Sequence, residues 1–242
     1  MALHFLLDEA AGDVGDAVVL SGAEAHHAAT VRRVRAGEEV TVGDGRGLWL
    51  EGVVEGVQPR EVVVRVTART DVTAPRPRLV LVQALAKGDR DELAVQAATE
   101  LGVDEIVPWQ AARSVSRWDA AKAAKGRARW TAIVREAAKQ AHRAWVPQVV
   151  DVETTSRIAQ RAAGAGILVL EPTAETALSA LTLPPDRDVV LVVGPEGGIA
   201  PDELATFADA GATPVRLGGT VLRTSTAGPA ALAVVSVALG RW

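Results

Sequence analysis

The chain has 242 residues, 48% hydrophobic and 23% charged, a balance that predicts one or two folded domains and argues against disorder. It has no cysteine, which excludes disulfides, thiolate metal sites and a cysteine nucleophile, and its four histidines are too scattered to predict a metal site. The net charge of −4, taken as a total, argues against nucleic acid as a partner. No apolar stretch reaches the roughly 20 residues of a membrane span, and the N-terminal residues lack the basic start of a secretory signal, so we expect a cytoplasmic protein without membrane contact.

The first 74 residues are predicted to be rich in β-structure. Short apolar runs are separated by turn signals such as Gly12-Asp13 and Gly43-Asp44-Gly45. One helix is predicted over Glu24–Val34, with Ser21 near its start. The pattern is typical of a small, partly open barrel, and Pro75-Arg-Pro77 then predicts an extended linker. The predicted strands are Phe5–Leu7, Ala17–Leu20, Glu39–Val42, Leu48–Val57 and Val62–Val66.

From Arg78 onward the pattern changes to buried-type strands that alternate with helices, which predicts an α/β layer with a parallel sheet. Asp89 and Glu92 have the spacing of a capping box, and Gly102 is placed to end the helix that follows. The predicted strands are Leu79–Leu85, Glu105–Pro108, Ile167–Leu170, Asp188–Val193 and Thr213–Leu217. The predicted helices are Asp89 to about Leu101, Asp119–Ala144, Ala174–Leu181, Pro201 to Gly211, and Ala227–Leu239.

The net charge conceals a basic middle third. Residues 1–74 carry −5, residues 75–150 carry +5 and residues 151–242 carry −4. Nine Lys and Arg residues lie between positions 113 and 143, against only Asp119 and Glu136. Such a run predicts contact with a polyanion or, equally, a solvated helix face. Trp118 and Trp130 lie within the run and could stack on bases, although core packing is the preferred interpretation of Trp130.

The strongest local signal is Gly194-Pro-Glu-Gly-Gly198, directly after an apolar strand and before a helix. In a parallel sheet, the loops at the carboxyl ends of strands form the ligand crevice, and glycines let the backbone approach a ligand closely. The motif is neither a Walker A loop nor a dinucleotide fingerprint, so it does not predict a phosphate cradle. A ligand site is favoured over a plain turn because three glycines surround one carboxylate.

Two further strand ends carry polar groups. Arg223 is the only cation in the loop from Leu217 to Ala227, and a buried arginine there would need a partner such as Glu196 or a ligand. The hydroxyl residues at 224–226 could cap the next helix. Glu171 follows a third strand and could accept hydrogen bonds from a ligand or lie at the surface. The sequence contains no Ser-His-Asp order, metal-ligand spacing or redox centre, which favours a bound cofactor that carries the reactive group.

At these motifs the sequence resembles the 16S ribosomal RNA uridine-N3 methyltransferases (RsmE type) of the SPOUT superfamily, over nearly the whole chain. Alone, Gly194-Pro-Glu-Gly-Gly198 would indicate only a SPOUT enzyme. The other matching stretches include Leu85-Ala-Lys-Gly-Asp89, Thr99-Glu-Leu-Gly-Val103, Arg113-Ser114, Glu136-Ala-Ala, Glu171-Pro172, Leu217-Gly218 and Leu222-Arg-Thr224 with Thr226-Ala227.

The resemblance implies a PUA-like RNA-binding β-barrel over residues 1–74 and, over residues 75–242, a SPOUT-type α/β methyltransferase domain with a C-terminal trefoil knot. It implies a homodimer that uses S-adenosylmethionine to methylate N3 of one uridine in the 16S rRNA of the small ribosomal subunit, without a metal. The alternatives are a non-catalytic rRNA-binding assembly factor and a SPOUT methyltransferase that acts on tRNA.

For such a reaction we assign roles to individual residues as a hypothesis. Arg223 would stabilise negative charge on the uracil carbonyls, and Glu196 would orient Arg223 or accept the proton. The expected cofactor contacts are Leu170, Glu171, Gly194, Pro195, Glu196, Gly197, Gly198, Leu217, Gly218, Leu222, Thr224 and Thr226. The expected rRNA contacts are Arg33, Arg113, Lys122, Arg127, Arg129 and Arg143.

Three positions depart from the family's pattern. His4 precedes Phe5 where the family often has arginine, and Ala141-His142 lies where Ser-Gly is common. Ser225 occupies the place of a frequent glutamate, which implies either that this glutamate is not the general base or that Ser225 marks a subgroup.

Overall fold

The fold is that of a computed structural model, which describes residues 2–7 and 15–242. The turn expected at Gly12-Asp13 lies outside the described residues. The chain divides into two compact units, Met1–Ala74 with Ala138–Val146, and Pro75–Ala137 with Pro147–Trp242. The division falls at the sequence boundary between residues 74 and 75, but Ala138–Val146, which the sequence assigned to the second domain, belongs to the first unit.

The first unit is built on a five-stranded sheet with the order β1-β3-β4-β5-β2. Its strands are β1 (Leu3–Leu6), β2 (Ala17–Ser21), β3 (Glu39–Gly43), β4 (Leu48–Gln58) and β5 (Glu61–Asp71). Only β1 and β3 pair in parallel, and the other pairs are antiparallel. Along β2 the buried Val18 and Leu20 alternate with exposed neighbours, as expected of a sheet with one apolar face.

The helix predicted over Glu24–Val34 is shorter and irregular. An α-helix, α1 (Gly22–His26), continues into a π-helical turn over His27–Arg32. Arg33 ends the turn with a φ of 56°, in the left-handed region. Ser21 occupies the N-cap position, but its side chain makes no capping hydrogen bond.

The second unit contains the predicted parallel sheet, with the order β11-β9-β10-β6-β7-β8 and every pair parallel. All six residues of β6 are buried, as expected of a strand covered on both faces. The strands are β6 (Leu79–Ala84), β7 (Glu105–Trp109), β8 (Gln148–Val149), β9 (Ala165–Leu170), β10 (Asp188–Val193) and β11 (Thr213–Val215). The helices that follow α1 are α2 (Arg90–Glu100), α3 (Ala120–Gln140), α4 (Thr155–Ala159), α5 (Pro201–Asp209) and α6 (Thr224–Ala238).

The helix predicted over Ala174–Leu181 is wrong, since this segment contains only a 3-10 turn at Leu178–Ala180. Apart from two short contacts, Ala180 N–H to Ala177 and Leu181 N–H to Leu178, its backbone groups pair with Arg216 and form no helical ladder. The Arg216 guanidinium donates to the carbonyl oxygens of Ala174 and Glu175, and the Leu178 N–H donates to the Arg216 carbonyl. These bonds satisfy the backbone without a helix.

The predicted capping box of α2 is also wrong. Asp89 occupies the N-cap position without a side-chain bond, and the Glu92 carboxylate pairs with Arg129. The end of α2 is as predicted, because Gly102 has a φ of 93°. The helix α3 ends at Gln140 and not at Ala144, since His142 adopts a φ of 54° and its N–H donates to the Lys139 carbonyl. Both α4 and β8 were missed.

Candidate active site

A cavity of about 410 Å³ lies in the second unit, at the carboxyl ends of β9, β10 and β11. Parallel neighbours bring the loops that follow these strands together, as the sequence predicted. Of the predicted site residues, the cavity is lined by Leu170, Glu171, Gly194, Pro195, Glu196, Gly198, Leu217, Gly218, Leu222, Arg223 and Thr224. Gly197 and Thr226 are not among its lining residues.

The loop Gly194–Gly198, called the glycine loop below, and the loop after β11 contain glycines that close packing or backbone conformation requires. A Cβ added at Gly194 would lie 2.6 Å from a side-chain carbon of Ile199, closer than any such contact allows. Gly198 and Gly218 have φ angles of 72° and 69°, which glycine adopts without strain. The Gly198 N–H donates to the Pro195 carbonyl at 2.9 Å and closes the loop into a tight turn.

Glu196 pairs with a residue that the sequence analysis did not single out. Its Oε1 accepts a hydrogen bond from Arg90 Nη1 at 3.0 Å and another from the Lys87 backbone N–H at 3.1 Å. Burial acts to raise the pKa of Glu196, but hydrogen bonds from its own backbone, Lys87 and Arg90 outweigh burial and hold that pKa below its usual value. Of the two kinds of partner that the sequence offered for Arg223, Glu196 is therefore excluded and a ligand is left.

Arg223 lies at the N-cap position of α6 and is exposed. We expected a guanidinium beside a buried segment that needs a carboxylate or a ligand, but among residues 2–7 and 15–242 no hydrogen bond or ion pair engages its side chain. Water can solvate an exposed cation, so no protein partner is required. The side chain still lines the cavity, where it is available to a ligand.

Thr224 links three elements at the base of the cavity. Its hydroxyl donates to the Gly194 carbonyl at 3.0 Å and accepts a hydrogen bond from Gln83 Nε2 at 2.9 Å. Gln83 is fully buried on β6. Thr224 therefore does not cap α6, and its hydroxyl instead ties the start of that helix to the glycine loop. Glu171 accepts hydrogen bonds from the Thr173 N–H and hydroxyl, at 3.2 and 3.0 Å.

The predicted rRNA contacts do not form a uniform set. Arg113 Nη1 donates to the carbonyl oxygen of Gly197 at 3.1 Å, so this side chain supports the glycine loop. Lys122, Arg127 and Arg129 are exposed on α3. Their ion-pair partners are Asp119, Asp151 and Glu92, respectively. Arg33 is exposed and Arg143 is half-buried, both in the first unit.

Two members of the basic run serve packing. Lys139 is buried in the first unit, where its Nζ lies 3.0 Å from Glu24 Oε2. Trp130 is buried and its ring meets that of Trp118 edge-on, with centroids 5.4 Å apart. The preferred interpretation of Trp130 as a core residue is therefore confirmed. Trp118 also covers Gly126, so its ring is only half-exposed.

Within the described part of the chain, no cluster of three or more metal-ligating side chains occurs. No helix among the described residues has the length and hydropathy of a membrane span.

Comparison with known proteins identifies the family. Residues 73–236 match the model of an RNA methyltransferase domain, and residues 20–67 match that of an RNA methyltransferase PUA domain. The chain is 48% identical over 235 residues to the ribosomal RNA small subunit methyltransferase E of Mycobacterium tuberculosis, covering 95% of this chain and 90% of that protein. The chain belongs to the ribosomal RNA small subunit methyltransferase E family. The resemblance inferred from the motifs is thereby confirmed.

Another methyltransferase E and two solved methyltransferase structures are also similar to this chain. The methyltransferase E of Bacillus subtilis is 33% identical over 226 residues, covering 90% of this chain and 88% of that protein. The structure of a methyltransferase E from Neisseria gonorrhoeae bound to S-adenosyl methionine has a TM-score of 0.87, with 28% identity and 98% of each chain covered. A putative methyltransferase from Legionella pneumophila in complex with the same cofactor has a TM-score of 0.86, also with 28% identity and 98% coverage of each chain.

Proposed function

We propose that the protein transfers a methyl group from S-adenosylmethionine to N3 of one uridine in the 16S rRNA of the small ribosomal subunit. Membership of the methyltransferase E family supports the reaction. The single observation that supports a role for individual residues in this reaction is the glycine-lined cavity with Arg223 in its wall. The cytoplasm, where small-subunit rRNA is found in bacteria, is the proposed site of action.

The cavity fits such a cofactor. Its volume of about 410 Å³ lies within the range of small-molecule sites, roughly 300–1,000 Å³. At Gly194, Gly198 and Gly218 the wall carries no side chain, so the backbone groups there are accessible to a nucleoside. Those glycines, with the other lining residues named above and with Gly197 and Thr226 beside them, would hold the cofactor. When bound, it supplies a methyl group that the sulfonium has already activated.

The protein itself must help uridine N3 to lose its proton and must stabilise the negative charge that develops. Uridine N3 loses its proton and gains the methyl group, and negative charge develops on the flanking carbonyl oxygens as the proton leaves. Arg223, whose guanidinium is free of protein partners among the described residues, stabilises that charge through two N–H donors. Glu196, an ionised carboxylate in the cavity wall, is the second catalytic residue and accepts the N3 proton.

The rRNA is held by cations outside the cavity. Arg33, Lys122, Arg127 and Arg129 are exposed and Arg143 is half-buried, which favours contact with phosphates. Residues 1–74 act as the PUA-like RNA-binding domain, and residues 75–242 as the methyltransferase domain with a C-terminal trefoil knot. The target uridine is presented in a loop or flipped out, because duplex RNA grooves are poorly readable.

The protein acts as a homodimer. Light scattering coupled to gel filtration measures the mass in solution and would give twice the 25.2 kDa of one chain. A mass of one chain at micromolar concentration would exclude the dimer.

Mass spectrometry of 16S rRNA tests the proposed function. Deletion of the gene should remove one 3-methyluridine, and complementation should restore it. The purified protein should methylate the rRNA from the deletion strain. Loss of a methylated nucleoside from tRNA instead would indicate the tRNA enzyme. Calorimetry that detects no binding of S-adenosylmethionine would indicate a non-catalytic assembly factor.

A further inference from the structure

The segment after β6 contacts the glycine loop and contributes to the cavity described above. The strands β6 and β10 are neighbours in the sheet, with Gln83 paired to Val193, so the segments that follow them leave the same edge. Gly88 has a φ of 77° and turns the chain into α2. This turn places Lys87 and Arg90 beside Glu196, and Arg90 lines the cavity.

Both hydrogen bonds that Glu196 accepts from other residues end on the same oxygen. Arg90 Nη1 and the Lys87 N–H both donate to Oε1, at 3.0 and 3.1 Å. No other residue in the described ranges donates a hydrogen bond to Oε2. The two donors restrain Oε1, and Oε2, which no other residue engages in the described ranges, can accept a hydrogen bond from a ligand.

The Arg90–Glu196 pair has little structural purpose. The Arg90 side chain is 48% exposed and that of Glu196 is 26% exposed, and ion pairs so exposed to solvent contribute little to folding. The pair does, however, place a cation and an oriented carboxylate in the wall of the same cavity that Arg223 lines. The pair is therefore placed where it can act on a ligand in that cavity.

We propose that Arg90 is a positioning residue for methyl transfer, which holds Glu196 through Oε1 so that Oε2 faces the uridine. The inference rests on the proposed function. Arg90 acts through Glu196 and does not itself contact the reacting atoms. Because the reaction geometry depends on where the carboxylate is held, release of Glu196 should slow the chemical step more than it weakens substrate binding.

The test compares Arg90→Gln, Arg90→Lys and the control Arg157→Gln, which alters an exposed arginine of α4 outside the cavity. Arg90→Gln should lower kcat by about 10- to 100-fold, with a much smaller change in the KM for rRNA. Arg90→Lys should restore part of kcat, and Arg157→Gln should match the wild type. Calorimetry should show little change in the affinity of Arg90→Gln for S-adenosylmethionine.

A second readout does not require turnover. Titration of the Glu196 side-chain carboxyl by carbon-13 NMR in the protein alone should show a higher pKa in Arg90→Gln than in the wild type. An unmoved titration, or a wild-type kcat in Arg90→Gln, would overturn the inference. A raised KM at unchanged kcat would also overturn it, and would make Arg90 an rRNA ligand. Wild-type protein that methylates no uridine N3 would instead overturn the proposed function, whatever the titration shows.

Discussion

Each unit contains an ion pair that joins distant parts of the sequence, but the two pairs differ in exposure. In the first unit, the Lys139 and Glu24 side chains are each 7% exposed, and Glu24 Oε1 also accepts a hydrogen bond from the Leu6 N–H. In the second unit, Arg90 and Glu196 are 48% and 26% exposed. A buried charge without its partner is strongly destabilising, whereas a solvated one is not. The first pair therefore supports the fold, and the second can serve the reaction.

Removal of Lys139 should give the largest effect on stability. Lys139→Met leaves the Glu24 carboxylate buried without its cation, so the free energy of unfolding should fall by about 3–5 kcal/mol. Urea denaturation followed by circular dichroism measures the change. The control Lys122→Met alters an exposed lysine of the same helix and should change stability by less than about 0.5 kcal/mol. Equal losses in the two variants would contradict the contrast between the pairs.

Removal of Arg223 should give the largest effect on the reaction with little effect on folding. Arg223→Ala should lower kcat by about 100- to 1,000-fold, because it removes a preorganised donor to the developing charge. The affinity for S-adenosylmethionine should stay within about tenfold, or ~1.4 kcal/mol. Single-turnover methylation and calorimetry separate the two quantities. Unchanged turnover would exclude the proposed role.

The first unit should also lose stability in mild acid. His4 is stacked on Trp49 with ring centroids 4.4 Å apart, and His142 lies 5.6 Å from it, so two departures from the family's pattern meet in space. Burial, followed by the charges of His142 and Lys139, lowers the pKa of His4 from 6.5 to about 4. Between pH 6.5 and about pH 4, His4 is protonated in the unfolded chain but stays neutral in the folded chain. Stability should therefore fall by up to about 3 kcal/mol as the pH drops through this window.

Denaturation at several pH values measures this dependence. His4→Gln should flatten the decline between pH 6.5 and 4, whereas His26→Gln, which alters an exposed histidine, should leave it unchanged. If both variants keep the wild-type slope, His4 does not cause the acid sensitivity.

The smallest effect is expected from the basic face of α3. Replacement of Lys122, Arg127 and Arg129 by Gln should weaken rRNA binding and flatten its salt dependence, by about one unit of log–log slope for each phosphate that the variant no longer neutralises. Their acidic partners already neutralise part of this charge, which limits the change. Filter binding at several salt concentrations measures the slope. An unchanged slope would mean that these residues form only a solvated face.

Much of the fold could be predicted because it depends on local patterns. The buried runs before residues 194 and 171 appear as β10 and β9, and the glycines at 102 and 211 both have the left-handed backbone of helix ends. The segment at 174–181 could not be predicted in this way. Its backbone pairs with Arg216, about 40 residues later in the chain, and this contact outweighs its local helical pattern.

The sequence by itself determined most of the strands and helices, the loops that bear the site and the family, because side-chain period, turn residues and motifs are read within a few neighbouring positions. Only the tertiary structure decided how the charged groups are paired. Glu196 and Arg90 are 106 residues apart, and Lys139 and Glu24 are 115 apart. Such partners are set by which strands become neighbours and which helix face is buried. For that reason, only the fold could show that Lys139 is structural, that Arg223 has no partner among the described residues, and that Arg90 belongs to the site.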